Sequence, residues 1–309
     1  MILTHPACAL HDMGPGHPES PARLAAVLSA LDAPPLAAIR RLLAPAASIE
    51  QLRRAHDVCL IERVFASAPI SGLSRLDGDT AMNPNSLDAA LHAAGAVVAG
   101  VDAVLQGQTD RVFCAVRPPG HHATHVDAMG FCLFNNVAVG AAHAMALGLE
   151  RVAIIDFDVH HGNGTQNIFA DDPRVLYASS HQWPLYPGTG AESEHGVGNI
   201  HNAVLMPGAR SLEFREAWML QLLPAIAAFK PQLMLISAGF DAHRLDPLAQ
   251  LNLGAEDFAW VTRALVAIAE RHAMGRVVST LEGGYSLTAL RECTAAHCQA
   301  LFGIVSALP

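Results

Sequence analysis

Short apolar runs alternate with longer alanine-rich segments along this chain. Runs of about four to eight apolar or β-branched residues predict buried strands, and such runs occupy residues 111–116, 152–157, 175–179, 233–237 and 276–281. Apolar residues at helical spacing predict helices over residues 86–105, 136–147, 212–229 and 256–272. Strands that alternate with helices form parallel sheets covered by helices on both faces. We therefore expect an α/β protein with one domain over residues 1–309.

Polar clusters follow four of the five predicted strands directly. Their sequences are RPPGHH at 117–122, DVHHGNG at 158–164, SAGFDAH at 237–243 and EGGY at 282–285. In open α/β sheets, ligand sites lie beyond the carboxyl ends of the strands, where neighbouring loops meet. Clusters that are distant in the sequence are therefore expected to form one pocket.

The cluster after the second predicted strand has the pattern of a metal site. Asp156, Asp158 and His160 alternate with apolar residues, which places three potential ligands on one side of a strand. Buried carboxylates are costly unless they are paired or bind a cation. Asp241 from another cluster would complete a set of two carboxylates and one imidazole with a position open for water or substrate. The alternative is that these side chains form salt bridges or caps at the strand end.

Two further clusters carry groups for proton transfer. His121 and His122 follow a Pro-Pro-Gly turn whose rigid backbone aims the adjacent side chains, and a histidine can take a proton from water and return it to a leaving amine. Asp156 and Asn163 are candidates to orient the two rings. Tyr285 follows paired glycines and can donate a hydrogen bond to a developing oxyanion. Surface-loop histidines and a packed tyrosine are the alternatives.

Composition limits the expected partners. Hydrophobic residues make up 51% of the 309 positions, and the formal net charge is -9. Because phosphate contacts need clustered lysine and arginine, we expect no direct nucleic-acid binding. Apolar runs such as 233–238 are much shorter than the roughly 20 residues of a spanning helix, and the first residues do not resemble a secretory leader. We expect no membrane association and a cytoplasmic location.

Seven segments taken together resemble the histone deacetylase superfamily. Their order and spacing extend over almost the whole chain: HPESPARL at 17–24, RPPGHH at 117–122, GFCLFNN at 130–136, DFDVHHGNGT at 156–165, YPGTG at 186–190, SAGFDAH at 237–243 and EGGY at 282–285. The chain is most similar to bacterial members related to class II deacetylases, because Asn163 stands where class I members usually carry an aspartate.

The resemblance implies a fold and a set of catalytic parts. The implied architecture is the single-domain arginase/deacetylase-like α/β fold, with a central, mostly parallel sheet and helices on both faces. The implied zinc ligands are Asp158, His160 and Asp241. The implied catalytic residues are His121, His122, Asp156, Asn163 and Tyr285.

The resemblance also implies a substrate tunnel and a second ion. Gly130 and Phe131 would line a tunnel for an acyl-lysine, opposite Tyr186. The family often has phenylalanine at the position of Tyr186, so the aromatic wall is kept and a hydroxyl is added. A structural monovalent cation, usually potassium, would bind at Asp156, Asp158, His160, Ser179 and the carbonyl of Ser180.

The implied reaction is zinc-dependent hydrolysis of an N-acylated amine, and an acyl-lysine of a protein or peptide is the expected substrate. An acetylpolyamine or another small-metabolite amide is the alternative, although Leu248 stands where polyamine-selective relatives can carry a glutamate. Iron(II) or cobalt can replace zinc at an Asp-His-Asp site. A binuclear, arginase-like manganese enzyme and a non-catalytic acyl-ligand-binding module are competing interpretations. Relatives often form dimers or tetramers, so a homo-oligomer is also open.

Overall fold

The core of the molecule is a sheet of eight parallel strands. A computed structural model describes residues 1–304. Its strands in chain order are β1 (Ile2–Thr4), β2 (Arg41–Leu43), β3 (Ser74–Arg75), β4 (Ala81–Met82), β5 (Arg111–Cys114), β6 (Val152–Asp156), β7 (Val175–Gln182), β8 (Ile200–Leu205), β9 (Leu233–Ala238) and β10 (Val277–Leu281). β3 and β4 form a separate antiparallel pair. The other eight lie in the order β2-β1-β5-β10-β9-β6-β7-β8, and every neighbouring pair is parallel.

Helices cover both faces of this sheet. They are α1 (Pro21–Leu31), α2 (Ile49–Leu52), α3 (Val58–Ala66), α4 (Ser86–Leu105), α5 (Asn136–Ala146), α6 (Asn163–Phe169), α7 (Ser211–Ala217), α8 (Leu223–Phe229), α9 (Ala255–His272) and α10 (Leu287–Leu301). On one face, a Cβ added to Gly100 of α4 would lie 2.8 Å from Val278 of β10. On the other face, His297 of α10 bonds with the hydroxyl of Ser279, the next residue of that strand, at 2.9 Å. The predicted α/β fold is confirmed.

One predicted helix is wrong as a continuous element. Residues 212–229 form α7, a π-helical turn at Trp218–Leu222 and then α8. Pro224 lies in the first turn of α8 and has no amide hydrogen to continue an α-helical ladder. The turn before it is therefore widened, as in other π-helical insertions.

Helix α4 is the one helix within residues 1–304 that is long and apolar enough to cross a membrane. The helix itself was predicted, but the length of unbroken apolar runs did not mark it as a possible membrane span, because Asp88, His92 and Asp102 interrupt its apolar residues. Inside the protein, 67% of its most apolar window is buried, and Gly100 packs on β10. Burial of this kind is typical of a helix that covers a sheet.

The strand order explains how distant motifs meet. The four polar clusters follow β5, β6, β9 and β10 in the chain, and these strands are consecutive neighbours in the sheet, in the order β5-β10-β9-β6. Because all four are parallel, their carboxyl ends lie at one edge of the sheet. The predicted convergence of the four clusters follows from this arrangement.

Candidate active site

The three side chains that the sequence predicts as metal ligands lie together beyond the sheet. Ligand atoms of Asp158, His160 and Asp241 all fall within 4.8 Å of one another. His160 Nδ1 is 3.1 Å from Asp158 Oδ1 and 3.2 Å from Asp241 Oδ2. Both carboxylates are fully buried, and His160 is nearly so. The fold therefore brings the predicted ligand set to one point.

The backbone that carries two of these ligands differs from the prediction. Strand β6 ends at Asp156, so the aspartates and the histidine do not alternate along a continuing strand. Instead the chain turns. The amide of Asp158 donates to Asp156 Oδ1 at 3.1 Å, and the amide of His160 donates to Asp158 Oδ1 at 2.9 Å. These local side-chain bonds, rather than strand geometry, orient the alternate side chains.

Two glycines make room for the ligand oxygens. A Cβ added to Gly239 would overlap Asp158 Oδ2, and one added to Gly283 would overlap Asp241 Oδ2. The Gly283 amide donates to Asp158 Oδ2 at 2.8 Å, and the Val159 amide donates to Asp241 Oδ1, also at 2.8 Å. Any larger residue at either glycine would displace a ligand atom.

This donor set fits one divalent cation. Burial and the charge of Asp158 raise the pKa of Asp241 to about 7, because two carboxylates buried side by side repel each other. Zinc in a catalytic site takes three protein ligands of oxygen or nitrogen and keeps a fourth position for water or substrate. Asp158, His160 and Asp241 match that requirement in type and number.

His121 and His122 lie beside this cluster. His121 Nδ1 is 3.0 Å from Asp156 Oδ2, and the Tyr177 hydroxyl donates to the same oxygen at 3.1 Å. His122 Nδ1 is 2.8 Å from Asn163 Oδ1. Since an amide oxygen only accepts, His122 carries its proton on Nδ1 and leaves Nε2 free as a base. The structure pairs each predicted ring with its predicted partner, and Tyr177 is a further partner that the sequence analysis missed.

Their surroundings give the two histidines different charges. Burial opposes a charge on His121, but the carboxylates of Asp158 and Asp156 outweigh it and hold the pKa of this ring well above its ordinary value. Burial and the neighbouring rings of His121 and His160 hold the pKa of His122 well below its ordinary value. These opposite shifts favour the protonated form of His121 and the neutral form of His122. A neutral imidazole is the form that can accept a proton from water.

Tyr285 reaches the site from the end of β10. Its amide donates to Asp246 Oδ2 at 2.7 Å, and the guanidinium carbon of Arg23 lies 4.9 Å from its ring centroid. The preceding Gly284 has φ 119°, a conformation that favours glycine. Burial raises the pKa of the Tyr285 phenol well above its ordinary value. The hydroxyl therefore stays protonated and can donate a hydrogen bond.

A cavity of about 200 Å³ leads to these groups. Its lining residues are Asp79, His122, Gly130, Phe131, His160, Leu185, Tyr186, Leu248 and Tyr285. They include Gly130, Phe131 and Tyr186 of the predicted tunnel and Leu248, the position expected to influence substrate choice. The Phe131 ring meets Tyr285 edge-on at 5.9 Å, and the Tyr186 ring meets His122 edge-on at 5.1 Å. Aromatic rings therefore flank the passage to the ligand cluster.

Asp79 and Leu185 line this cavity although the sequence analysis did not single them out. Asp79 lies in the loop between β3 and β4, where its carboxylate accepts from the Thr80 hydroxyl at 2.9 Å. Leu185 directly precedes Tyr186 in an irregular segment after β7. Short loops carry no periodic pattern, so tertiary structure alone brings these side chains to the cavity.

A buried ion network lies behind the catalytic loops. Glu19 pairs with Arg23 at 2.9 Å and with Arg117, and all three residues are fully buried. Arg23 also donates to the backbone carbonyls of Glu282 and Gly284. Arg117 begins the RPPGHH segment. The HPESPARL segment, to which the sequence analysis gave no role, thus links the histidine loop to the tyrosine loop.

The two serines predicted to contact potassium lie on β7 next to the metal cluster. Ser179 is directly opposite Asp156 in the pairing of β6 with β7. Its hydroxyl bonds with His181 Nδ1 at 2.9 Å, and Ser180 Oγ accepts from Trp218 Nε1 at 3.1 Å. Both side chains are therefore engaged with protein groups, and an ion at Ser180 would use its carbonyl, as the resemblance implies.

Comparison with known proteins agrees with this geometry. Residues 17–301 match the model of the histone deacetylase domain. The chain belongs to the histone deacetylase family. It is 41% identical over 300 residues to the histone deacetylase-like amidohydrolase of Pseudomonas aeruginosa, covering 95% of this chain and 79% of that protein. It is 38% identical over 309 residues to the chloroplastic histone deacetylase 14 of Arabidopsis thaliana, covering 93% and 73%.

A solved structure gives the same fold. The crystal structure of the HDA15 HD domain superposes with a TM-score of 0.93 at 34% identity and covers 100% of this chain and 89% of that one. The arginase/deacetylase-like fold expected from the motifs is thus confirmed. Membership of the histone deacetylase family supports a hydrolytic deacetylase activity, and it favours this activity over an arginase-like enzyme or a binding module.

Proposed function

We propose that this histone deacetylase family member is a zinc-dependent amidohydrolase that removes an acyl group from the lysine side chain of a protein or peptide. One observation carries the proposal: the ligand cluster, His122 and Tyr285 meet at the inner end of a single cavity. An acylated lysine side chain is long, narrow and mostly apolar, so it suits a passage between Phe131 and Tyr186. Its amide would then lie beside the three reacting groups.

Asp158, His160 and Asp241 would hold the zinc ion. When bound, zinc supplies a Lewis acid that polarises the acyl carbonyl and makes water more acidic. Iron(II) and cobalt accept the same donors. The preferred metal is therefore identified by comparing turnover after the purified protein is reconstituted with each ion.

The protein's own groups handle the protons. The Tyr285 hydroxyl donates to the carbonyl oxygen as negative charge develops there. His122 Nε2 takes a proton from the attacking water, since Asn163 holds the ring through Nδ1. His121, whose protonated form is favoured by its contact with Asp156, stabilises the negative charge of the tetrahedral intermediate. The histidine pair then gives a proton to the leaving nitrogen as the C–N bond breaks, which releases a free amine and a carboxylic acid.

A structural potassium ion is part of the same proposal. Asp156, Asp158, His160, Ser179 and the carbonyl of Ser180 would hold it. The position of Ser179 opposite Asp156 supports this assignment. We expect the unfolding temperature of the protein to rise with potassium and not with an equal concentration of tetramethylammonium.

An acylated polyamine is a second candidate substrate. The carboxylate of Asp79 at the cavity mouth favours it, because a cationic chain would be attracted there. Leu248, which also lines the cavity, offers no second negative charge. The acyl-lysine substrate is therefore preferred, and the polyamine is a matched comparison.

The substrate proposal is tested by measuring amine release by zinc-loaded protein from acetyl-lysine peptides, longer acyl-lysine peptides and acetylpolyamines. We expect the highest kcat/KM on an acyl-lysine peptide. Efficient turnover of acetylpolyamines without turnover of any acyl-lysine peptide would show that the second candidate is correct.

A further inference from the structure

Glu282 is a buried carboxylate that the proposed chemistry does not use. It is fully buried at the end of β10, and it faces the loop that carries the two histidines. Its Oε2 accepts from the amide of Gly120 at 2.6 Å and from the amide of His121 at 3.2 Å. Its Oε1 accepts from the Ser237 hydroxyl at 3.1 Å. One carboxylate oxygen therefore holds two successive amides of the histidine loop.

The main chain of Glu282 belongs to the opposite wall of the site. Its carbonyl accepts from Arg23. The next residue, Gly283, donates to the metal-ligand candidate Asp158 at 2.8 Å, and Tyr285 follows two residues later. A shift of the Glu282 side chain relative to its backbone would thus move the histidine loop relative to Tyr285.

We propose that Glu282 is a positioning residue that sets the distance between the histidine base and the tyrosine oxyanion donor. This inference rests on the proposed function. The amides of Gly120 and His121 both donate to Glu282 Oε2. The position of the histidine loop therefore depends on how far this acceptor oxygen lies from the backbone of β10. A misplacement of about 1 Å can lower catalysis on the order of a hundredfold without any loss of a reacting group.

The length of Glu282 and its carboxyl group can be changed separately. Glu282→Asp keeps the carboxyl group but withdraws it by one methylene group. Glu282→Gln keeps the length, so its amide oxygen can take the place of Oε2 while its amide nitrogen donates to Ser237, whose hydroxyl can accept. Ser237→Ala is the matched control, since Ser237 is the partner of the Glu282 carboxyl group that lies outside the histidine loop.

The experiment measures kcat and KM for these three variants and the wild type with an acyl-lysine peptide, after metal content and unfolding temperature are recorded for each protein. Because the shorter side chain would shift the histidine loop relative to Tyr285, we expect Glu282→Asp to lower kcat at least about tenfold and to leave KM within about threefold of the wild type. Glu282→Gln should stay within about fivefold of the wild type in kcat, and Ser237→Ala within about threefold.

Three results would overturn the inference. The first is an active Asp variant beside an inactive Gln variant, which would mean that the carboxyl group matters rather than its reach, and the second is a kcat equal to that of the wild type in both variants. The third is loss of bound metal in the Asp variant, because the defect would then lie in the metal site. A folded, metal-loaded wild type that hydrolyses no acylated amine refutes the proposed function instead. The two failures are therefore distinguishable.

Discussion

The floor and the mouth of the cavity differ in how firmly the protein holds their side chains. At the floor, Asp158 and Asp241 are fully buried, and each accepts a backbone amide bond at 2.8 Å from a different segment. At the mouth, the Tyr186 residue is 39% exposed, and Leu248 is half-buried. The floor is a fixed reaction centre, whereas the mouth can change with little cost to the fold. Substitutions at the floor should therefore alter the chemistry, and those at the mouth should alter substrate choice.

The largest effect is expected from removing a ligand at the floor. Asp241→Ala leaves two of the three proposed metal ligands, so we expect loss of bound zinc and a fall in kcat/KM on the order of a thousandfold or more. Metal analysis and turnover of an acyl-lysine peptide check this outcome. Asp79→Asn is the control: it also removes one carboxylate, but at the mouth of the cavity, and the variant should retain its bound zinc. Full zinc content in the Asp241→Ala variant would show that the assigned ligand set is wrong.

A smaller loss is expected when one hydroxyl is removed from the floor. Tyr285→Phe keeps the ring and its backbone bond to Asp246 but removes the oxyanion donor. We expect kcat to fall about 10²- to 10³-fold, with bound zinc unchanged, in steady-state kinetics. An unchanged kcat would exclude the phenol from the reaction.

The pH dependence can be moved without removing any reacting group. Because the pKa of His122 lies well below 6.5, we expect the kcat/KM of the wild type to persist below pH 6.5 before protonation removes the base. Asn163→Asp places a negative charge at His122 Nδ1, which raises the pKa of His122. The acid limb of the profile should shift upward by about one pH unit. Superimposable profiles for the two proteins would contradict the assignment of His122 as the base.

The smallest effect, and one of a different kind, is expected at the mouth. Leu248→Glu adds a second carboxylate to the cavity that Asp79 also lines, so we expect the ratio of acetylpolyamine to acetyl-lysine turnover to rise about tenfold. Leu248→Gln introduces a side chain of the same shape as glutamate but without its charge, and it should leave that ratio close to the wild-type value. Equal ratios for the Glu and Gln variants would mean that charge at this position does not select the substrate.

The same contrast explains what the sequence could predict. Residues at the floor belong to motifs with a chemical signature, and Asp158, His160 and Asp241 could be assigned before their contacts were known. Their convergence followed from the position of each motif after a strand. The turn after Asp156 was not foreseen, because local side-chain bonds to Asp156 and Asp158 replaced the strand there.

Other parts of the molecule gave weaker signals. Strands β1 and β2 have three residues each, too few to show a period. Strand β8 includes His201 and Asn202, which interrupt its apolar pattern. Glu282 was quoted within a motif, but its bonds to Gly120 and His121 join segments 162 and 161 residues apart. No local pattern predicts such contacts, because packing alone brings the segments together.

The most direct test of the account is to remove all metal from the purified protein and titrate zinc back while measuring turnover of an acyl-lysine peptide. We expect no turnover by the metal-free protein and a rate that rises in proportion to bound zinc until about one ion is present per chain. Turnover by the metal-free protein, or no turnover by folded protein with one zinc ion bound, would contradict the account.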